Sequence, residues 1–203
     1  MKNIVKNTLI LVAITLTAAL CLSVVYAVTK DRISEAEEKE RMDSFYTVMP
    51  DANEFKDMSV WVKDWNENRP GGADIVSAFG SYDKTGDFIG IVVSVVSHNG
   101  YGGDITLSLG VNSDGVITGM KVTSMSETSG LGAECQNETW QAQFKGKSSE
   151  ALVYTKKGAE APDEIDALTG ATITTKAVLE AVNEGHAFGM QHRHQEVKGG
   201  AAE

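Results

Sequence analysis

An uncharged run near the N-terminus limits the structures open to this 203-residue chain: "TLILVAITLTAALCLSVVYAV", Thr8 to Val28. Its 21 residues are enough to cross the hydrocarbon core of a bilayer as one helix. A cleaved signal peptide is the rival interpretation, since Lys2 and Lys6 precede the run and Val25-Tyr26-Ala27 resembles a small-residue cleavage site. The length of the run and Tyr26 favour a retained anchor.

Positive charges flank this run almost evenly. Two lysines and the amino terminus stand before it, and Lys30 and Arg32 stand after it, so the positive-inside rule only slightly favours a cytoplasmic N-terminus. We expect a short tail over residues 1–7 and a membrane helix over residues 8–28.

A charged stretch follows the apolar run and is expected to form a stalk helix over residues 29–52. Its apolar residues recur at roughly helical spacing and would form one stripe that packs on the domain below: Ile33, Ala36, Met42, Phe45 and Val48. The sequence Met49-Pro50-Asp51 predicts the end of this helix.

Composition excludes several classes of function. A net charge of -10 and a pI of about 4.9 argue against nucleic-acid binding, which needs a basic surface. Of the two cysteines, Cys21 lies inside the apolar run and Cys135 lies far outside it. The sequence therefore predicts no disulfide framework, no cysteine metal site and no iron–sulfur cluster held by this chain alone.

The histidines do not predict a metal site either. His192 and His194 lie in a C-terminal stretch, "HRHQEVKGGAAE", that is expected to be frayed, and no third ligand stands at a convincing spacing. His98 and His186 are isolated and are expected in the core or on the surface. The sequence also lacks a nucleophile elbow, a P-loop and a dinucleotide fingerprint.

The remaining chain predicts an α+β domain over residues 53–192, with a flexible tail over 193–203. Residues from about 74 to 126 alternate strand-like segments with hairpin turns and predict several antiparallel strands. "AECQNETWQAQFKGK" predicts a short helix in which Trp140 and Phe144 face the core, and "EALVYTKK" one more strand. "ITTKAVLEAVNEGHAFGMQHR" predicts a final helix, and strands followed by helices are typical of this class.

Three loops contain glycines: "HNGYGGD" at 98–104, "SETSGLGAE" at 126–134 and "DALTGAT" at 166–172. Each glycine can simply supply turn geometry, but such backbone can also approach a flat ligand closely. The third loop leads into a helix start, where free N–H groups offer a seat for an anion. Thr172 stands at the expected N-cap of that helix.

The third loop resembles the flavinylation motif of proteins that carry FMN joined to threonine by a phosphoester. The motif has Asp, two free positions, Ser or Thr, Gly, Ala and Thr, which Asp166, Thr169, Gly170, Ala171 and Thr172 match. "GYGG", "SETSGLG" and "QFKGK" are similar to segments of the same FMN-binding domain, although the common family form has Pro where Ser129 stands. With the anchor, the acidic stalk and "MPDA", the resemblance covers nearly the whole chain.

This resemblance implies a cofactor and the residues that hold it. A separate flavin transferase would move FMN from FAD onto the hydroxyl of Thr172, and Asp166 would be a recognition element for that enzyme. The isoalloxazine ring would lie against the loops, and no side chain of the chain would be catalytic. The candidate contacts to the ring are Tyr101, Gly102, Glu127, Thr128, Gly130 and Leu131.

Two related families share this plan, the G subunit of the Rnf-type ion-translocating ferredoxin:NAD oxidoreductase and the C subunit of the sodium-translocating NADH:quinone oxidoreductase. The short chain favours the Rnf type, which implies an electron relay in the cytoplasmic membrane with its FMN domain on the extracytoplasmic face. The partners implied are a second flavinylated subunit, iron–sulfur subunits and the flavin transferase. The alternatives are the quinone-reductase type, a free-standing FMN reductase and an anchored binding module whose glycines only make turns.

Overall fold

The structure is a computed structural model that describes residues 2–69 and 71–195. The chain divides into two compact units, Met1–Glu40 and Arg41–Glu203. Helix α1, Lys2–Val48, runs without interruption through the stretches that the sequence separates into tail, span and stalk. It ends two residues before Pro50, because the residue ahead of a proline is disfavoured in helical conformation.

In the first unit, the described residues all belong to α1, whose last turns from Arg41 onward belong to the second unit. The most apolar part of this helix has a mean hydropathy of 2.5, and none of it is buried within the protein. Its threonine hydroxyls donate to carbonyls one turn back, as Thr8 does to Ile4 at 3.0 Å and Thr17 to Ala13 at 2.8 Å. Length, apolarity and self-satisfied polar groups are the properties that a bilayer demands of a helix.

The second unit is built on a five-stranded antiparallel sheet whose strands follow chain order. The predicted strands between about 74 and 126 are confirmed. Strand β1 and helix α2 were not predicted, because each is short and β1, "EFKD", carries charges at both ends. The strands are β1 Glu54–Asp57, β2 Ala73–Tyr82, β3 Phe88–Ser97, β4 Ile105–Asn112 and β5 Ile117–Ser124, and helix α2, Val60–Asn68, follows β1.

Short elements connect the sheet to the last helix. Two 3₁₀ turns, Gly132–Gln136 and Ala142–Phe144, flank helix α3, Glu138–Gln141. Strand β6, Val153–Thr155, lies in the predicted segment "EALVYTKK". It pairs in parallel with β7, Glu164–Asp166, a strand that the sequence did not predict. Helix α4, Thr172–His192, closes the fold. The domain is α+β, as predicted.

The main core lies between α4 and one face of the sheet. Buried apolar side chains of β3 and β4, such as Val93 and Leu109, meet the helix. Gly185 lets α4 approach closely, since a Cβ there would lie 2.9 Å from Val95 Cγ2. Trp140 and Phe144 also join this core, which confirms the core packing predicted for them.

The opposite face of the sheet is covered by the last turns of α1. Phe45 and Val48 are fully buried there with Val92. Gly110 of β4 allows this contact, because a Cβ there would lie 2.6 Å from the Val48 carbonyl oxygen. The predicted packing of the stalk stripe on the domain is therefore confirmed for its C-terminal part, whereas Ile33 is 46% exposed.

The prediction of a frayed stretch beginning at His192 is wrong for its first residue. His192 is buried, and its ring stacks on Trp61 with 5.4 Å between centroids. It also lies 4.5 Å from the Phe188 ring, so the aromatic side chains of α2 and α4 hold the end of the helix. Residues 196–203 of the expected tail lie outside the described residues.

Candidate functional site

The three glycine-containing loops meet at the N-terminus of α4. They surround an open pocket of about 490 Å³, which is large enough for a drug-sized or cofactor-sized group. The pocket is lined by Tyr101 from the first loop, by Glu127, Thr128, Leu131 and Gly132 from the second, and by Gly170, Ala171, Thr172, Ile173 and Thr174 from the third loop and the first helical turn. Loops far apart in sequence thus form one site.

The loop before α4 is held by hydrogen bonds at two of its residues, Asp166 and Leu168. At its start, the Asp166 N–H donates to Gln143 Oε1 at 2.7 Å, and Trp140 Nε1 donates to the Asp166 carbonyl at 2.8 Å. Two residues further on, the Leu168 N–H donates to the buried hydroxyl of Thr175 at 3.0 Å, which links the loop to the first turn of α4. Contacts within the protein therefore hold the turn in position.

The turn itself needs Gly170, whose φ of +77° lies in the left-handed region. The N-cap of α4 is Ala171, so the prediction that Thr172 is the N-cap is wrong by one residue. Thr172 is instead the first helical residue, half-buried at the edge of the pocket. The residue that caps the helix is therefore not the one that the sequence predicted.

The first turn of α4 presents positive partial charge to the pocket. The first N–H groups of a helix have no partner within it, and they carry the positive end of the helix dipole. The first turn of α4 has no acidic residue of its own; the carboxylate beside it is that of Glu127, which accepts the Thr174 hydroxyl. A phosphate held at Thr172 would lie in a favourable field.

The opposite part of the pocket is held by Glu127. Its Oε1 accepts the Gly102 N–H at 3.1 Å, and its Oε2 accepts the Thr174 hydroxyl at 2.9 Å. Behind it lies Cys135, whose thiol pKa is raised to about 11, chiefly by burial and further by the Glu127 carboxylate. Cys135 is therefore an unreactive thiol of the core.

Apolar side chains stand exposed around the pocket. Tyr101 is 71% exposed, Leu131 45% and Ile173 51%. Three large apolar side chains from three different segments, left uncovered at one opening, provide surfaces that a flat aromatic ring would bury. Together with the helix N-terminus, they suit a ligand with a phosphate at one end and an aromatic ring at the other.

The sequence predicted most of this lining. Seven of the predicted site residues line the pocket, namely Tyr101, Glu127, Thr128, Leu131, Gly170, Ala171 and Thr172, while Gly102, Gly130, Asp166 and Thr169 do not. Gly102 contributes through its N–H to Glu127. Sequence reasoning missed Gly132, Ile173 and Thr174, although Gly132 stands in the second glycine-containing loop and Thr174 lies just two residues beyond Thr172 in the same helical turn.

Asp166 lies on a different surface from the pocket. Its exposed carboxylate accepts the Ala159 N–H at 2.7 Å. It lines a separate depression of about 410 Å³ together with Trp140 and Gln143. An aspartate facing away from the pocket is not placed to contact a ligand inside it.

No metal centre competes with this site among the described residues, since no three of their His, Cys, Asp and Glu side chains form a group suited to an ion. His98 instead pairs with Asp104 at 3.0 Å, and this hydrogen bond raises its pKa. His186 is buried and contacts the Gly115 carbonyl oxygen at 2.8 Å. His98 thus lies on the surface and His186 in the core.

Comparison with known proteins identifies the kind of domain. The family model described as an FMN-binding domain matches residues 100–186, which contain nearly all of the three loops. A second model, described as the RnfG N-terminal region, matches residues 1–48. A relative from Acetobacterium woodii, named as the G subunit of a Na(+)-translocating ferredoxin:NAD(+) oxidoreductase complex, is 32% identical over 90% of this chain and 89% of its own length. The chain belongs to the RnfG family.

Further proteins are similar to this RnfG-family chain. A Clostridium ljungdahlii protein, named as the G subunit of a proton-translocating ferredoxin:NAD(+) oxidoreductase complex, is 32% identical over 82% of this chain and 81% of its own. The crystal structure of Shewanella oneidensis NqrC aligns with a TM-score of 0.49 and 25% identity over 58% of each chain. With its long apolar helix and its matched domain, the RnfG-family chain is a single-pass membrane protein that binds FMN.

Proposed function

We propose that this RnfG-family chain is an electron relay of a membrane-bound ferredoxin:NAD oxidoreductase complex that moves Na⁺ or H⁺, with FMN joined covalently to Thr172. The observation that carries the covalent link is the position of Thr172. It is the first residue of α4, it lines the pocket, and the loop before it is held by hydrogen bonds at Asp166 and Leu168. Its hydroxyl is presented in a defined place.

Attachment is a phosphoryl transfer in which the Thr172 side chain is the acceptor. The Oγ1 atom of Thr172 bonds to the FMN phosphorus of FAD, the phosphoanhydride bond breaks, and AMP leaves. The hydroxyl proton passes to the transferase or to water. Asp166 is exposed in a separate depression on the surface of the domain, beside this turn. A transferase can contact it there without entering the pocket.

The chain's own residues then hold the attached group. The phosphodiester keeps one negative charge, which the N-terminus of α4 stabilises. Tyr101, Leu131 and Ile173 offer the apolar surfaces that the ring system would cover. FMN supplies the one- and two-electron chemistry of the relay, so no side chain needs to react.

A relay suits the site better than a free-standing reductase. Glu127 is the one ionisable acid or base among the pocket-lining residues other than the phenol of Tyr101, and the sequence has no nicotinamide fingerprint. A C subunit of the quinone-reductase type is the second candidate of the same class. A binding module without a redox role is the candidate of another class.

The covalent link is tested by the mass of the intact native chain. We expect one added FMN, joined through its phosphate, and fluorescence that survives denaturation and gel electrophoresis. An unmodified mass, with fluorescence lost on denaturation, would contradict the covalent link and leave a reversibly bound FMN. A chain that carries no flavin in either state would favour the binding module.

The orientation of the chain is a separate proposal. We place the N-terminus in the cytoplasm and the FMN domain outside, with a second flavinylated subunit and iron–sulfur subunits as partners. A reporter that is active only outside the cytoplasm, fused after Glu203, should then be active. The chain should also keep its unprocessed mass and resist a carbonate wash. A processed, soluble form would instead support a cleaved signal peptide.

A further inference from the structure

Glu127 links the three segments that surround the pocket. It lies in the second loop, its Oε1 accepts the Gly102 N–H of the first loop, and its Oε2 accepts the Thr174 hydroxyl of α4. The side chain is half-buried. One carboxylate therefore fixes the relative positions of all three segments that surround the pocket.

Two glycines make room for this carboxylate. A Cβ at Gly132 would overlap Glu127 Oε2 and lie 2.6 Å from Thr174 Oγ1. A Cβ at Gly100 would overlap the Gly103 carbonyl oxygen and would also lie 2.9 Å from Glu127 Oε1. The sequence suggests that such glycines allow close approach to a flat ligand, but Glu127 is the nearest neighbour of Gly132 and one of the neighbours of Gly100. The loops are thus shaped around the glutamate as much as around a cofactor.

Glu127 also determines the charge of the pocket. Among the ten lining residues it is the one whose side chain is a carboxylic acid, and no lysine, arginine or histidine lines the pocket with it. Its field reaches the interior, since it contributes, after burial, to the raised pKa of the Cys135 thiol. A charge in such a half-buried position is screened less than one at the surface.

We infer that Glu127 is a positioning residue that sets the geometry of the pocket and keeps a negative charge beside the flavin, which lowers the reduction potential of the flavin. Reduction adds electrons to the ring system, and a fixed anion nearby opposes the added negative charge. This inference rests on the proposed occupation of the pocket by FMN. It assigns to Glu127 a role beyond contact with the ring.

The direct test is Glu127→Gln, which removes the charge and keeps the shape. The amide oxygen can accept the Gly102 N–H, and the amide nitrogen can donate to the Thr174 hydroxyl, which is able to accept. We expect covalent fluorescence to persist, the melting temperature to stay close to that of the parent, and the midpoint potential of the flavin to become more positive. An unchanged potential in the flavin-loaded variant would overturn the inference.

Thr174→Val is the matched control. It removes one hydrogen bond to Glu127 but leaves the charge, so its potential should shift less than that of E127Q. An equal shift would assign the effect to loop geometry and overturn the electrostatic role. A folded E127Q that takes up no flavin would also overturn it, because Glu127 would then act in attachment.

A second variant changes the charge of the pocket without altering the hydrogen bonds of Glu127. Thr128→Lys places an ammonium group on an exposed residue of the same wall. If E127Q fails to fold, T128K should still raise the potential by offsetting the carboxylate, and no shift there would contradict the inference. Failure of the proposed covalent link is distinguished from all these outcomes, because the parent chain itself would then carry no covalent flavin.

Discussion

Thr172→Ala should remove all covalent flavin and leave the fold intact. The side chain of Thr172 is half-buried and stands at the first position of α4, and the cap of this helix is the preceding residue. Alanine also favours helix more than threonine does, so the free energy of unfolding should change by about 0.5 kcal/mol or less. Intact mass and in-gel fluorescence measure the flavin, and thermal unfolding measures the fold.

Thr169→Ala is the matched control for this experiment. Thr169 belongs to the same motif, lies three residues before Thr172 and is exposed. Its replacement should leave most of the covalent flavin in place. Full fluorescence in Thr172→Ala would show that the attachment site is misassigned.

Thr175→Ala tests how the turn is held. It should retain some covalent flavin but lower stability by about 1–3 kcal/mol, because the buried Leu168 N–H would lose its acceptor. If less flavin is attached to this variant, the cause would be a displaced turn, and Thr175 would not thereby be identified as the acceptor. Stability and attachment both equal to those of the parent would show that Thr175 does not hold the turn.

The second large effect is expected in the assembled complex. If the flavin on Thr172 lies on the electron path, a complex that contains Thr172→Ala should lose ferredoxin–NAD activity almost entirely, since no other group in this chain is proposed to carry electrons. The measurement is NAD⁺ reduction by reduced ferredoxin in membranes that carry either variant. Undiminished activity would place this flavin off the path.

The purified full-length chain provides the complementary measurement. With its flavin attached, it should be reduced by a strong chemical reductant and should not oxidise NADH at a meaningful rate, because the sequence has no nicotinamide-binding fingerprint. Rapid NADH oxidation by the isolated chain would contradict the proposed relay and indicate a free-standing reductase.

The sequence predicted the elements with strong periodicity. The apolar run, the strands between 74 and 126 and the last helix have the lengths and patterns that packing requires, so their existence was predictable. Strands β1, β6 and β7 have three or four residues each. Elements this short are held by neighbours distant in sequence, so only the strand in "EALVYTKK" was predicted among them.

The sequence predicted seven of the residues that line the pocket but not the contacts that hold them. Thr172 and its pocket neighbours were identified, whereas the shift of the cap to Ala171 depends on the backbone of a single residue. The links from Glu127 to Gly102 and Thr174 join residues 25 and 47 positions apart. Such links leave no local pattern, and the burial of His192 was missed for the same reason, because its partner Trp61 lies on another helix.

The turn before α4 has a consequence for the order of events during biogenesis. Asp166 is anchored by Trp140 and Gln143, which lie 26 and 23 residues earlier in the chain. Thr172, the proposed acceptor, therefore reaches its place only after these distant segments have come together. A transferase that recognises the finished turn would act on folded chains and leave misfolded ones unlabelled. The fluorescence of the attached flavin would then measure the fraction of correctly folded molecules. Flavin attachment would in this way select folded chains before the complex assembles.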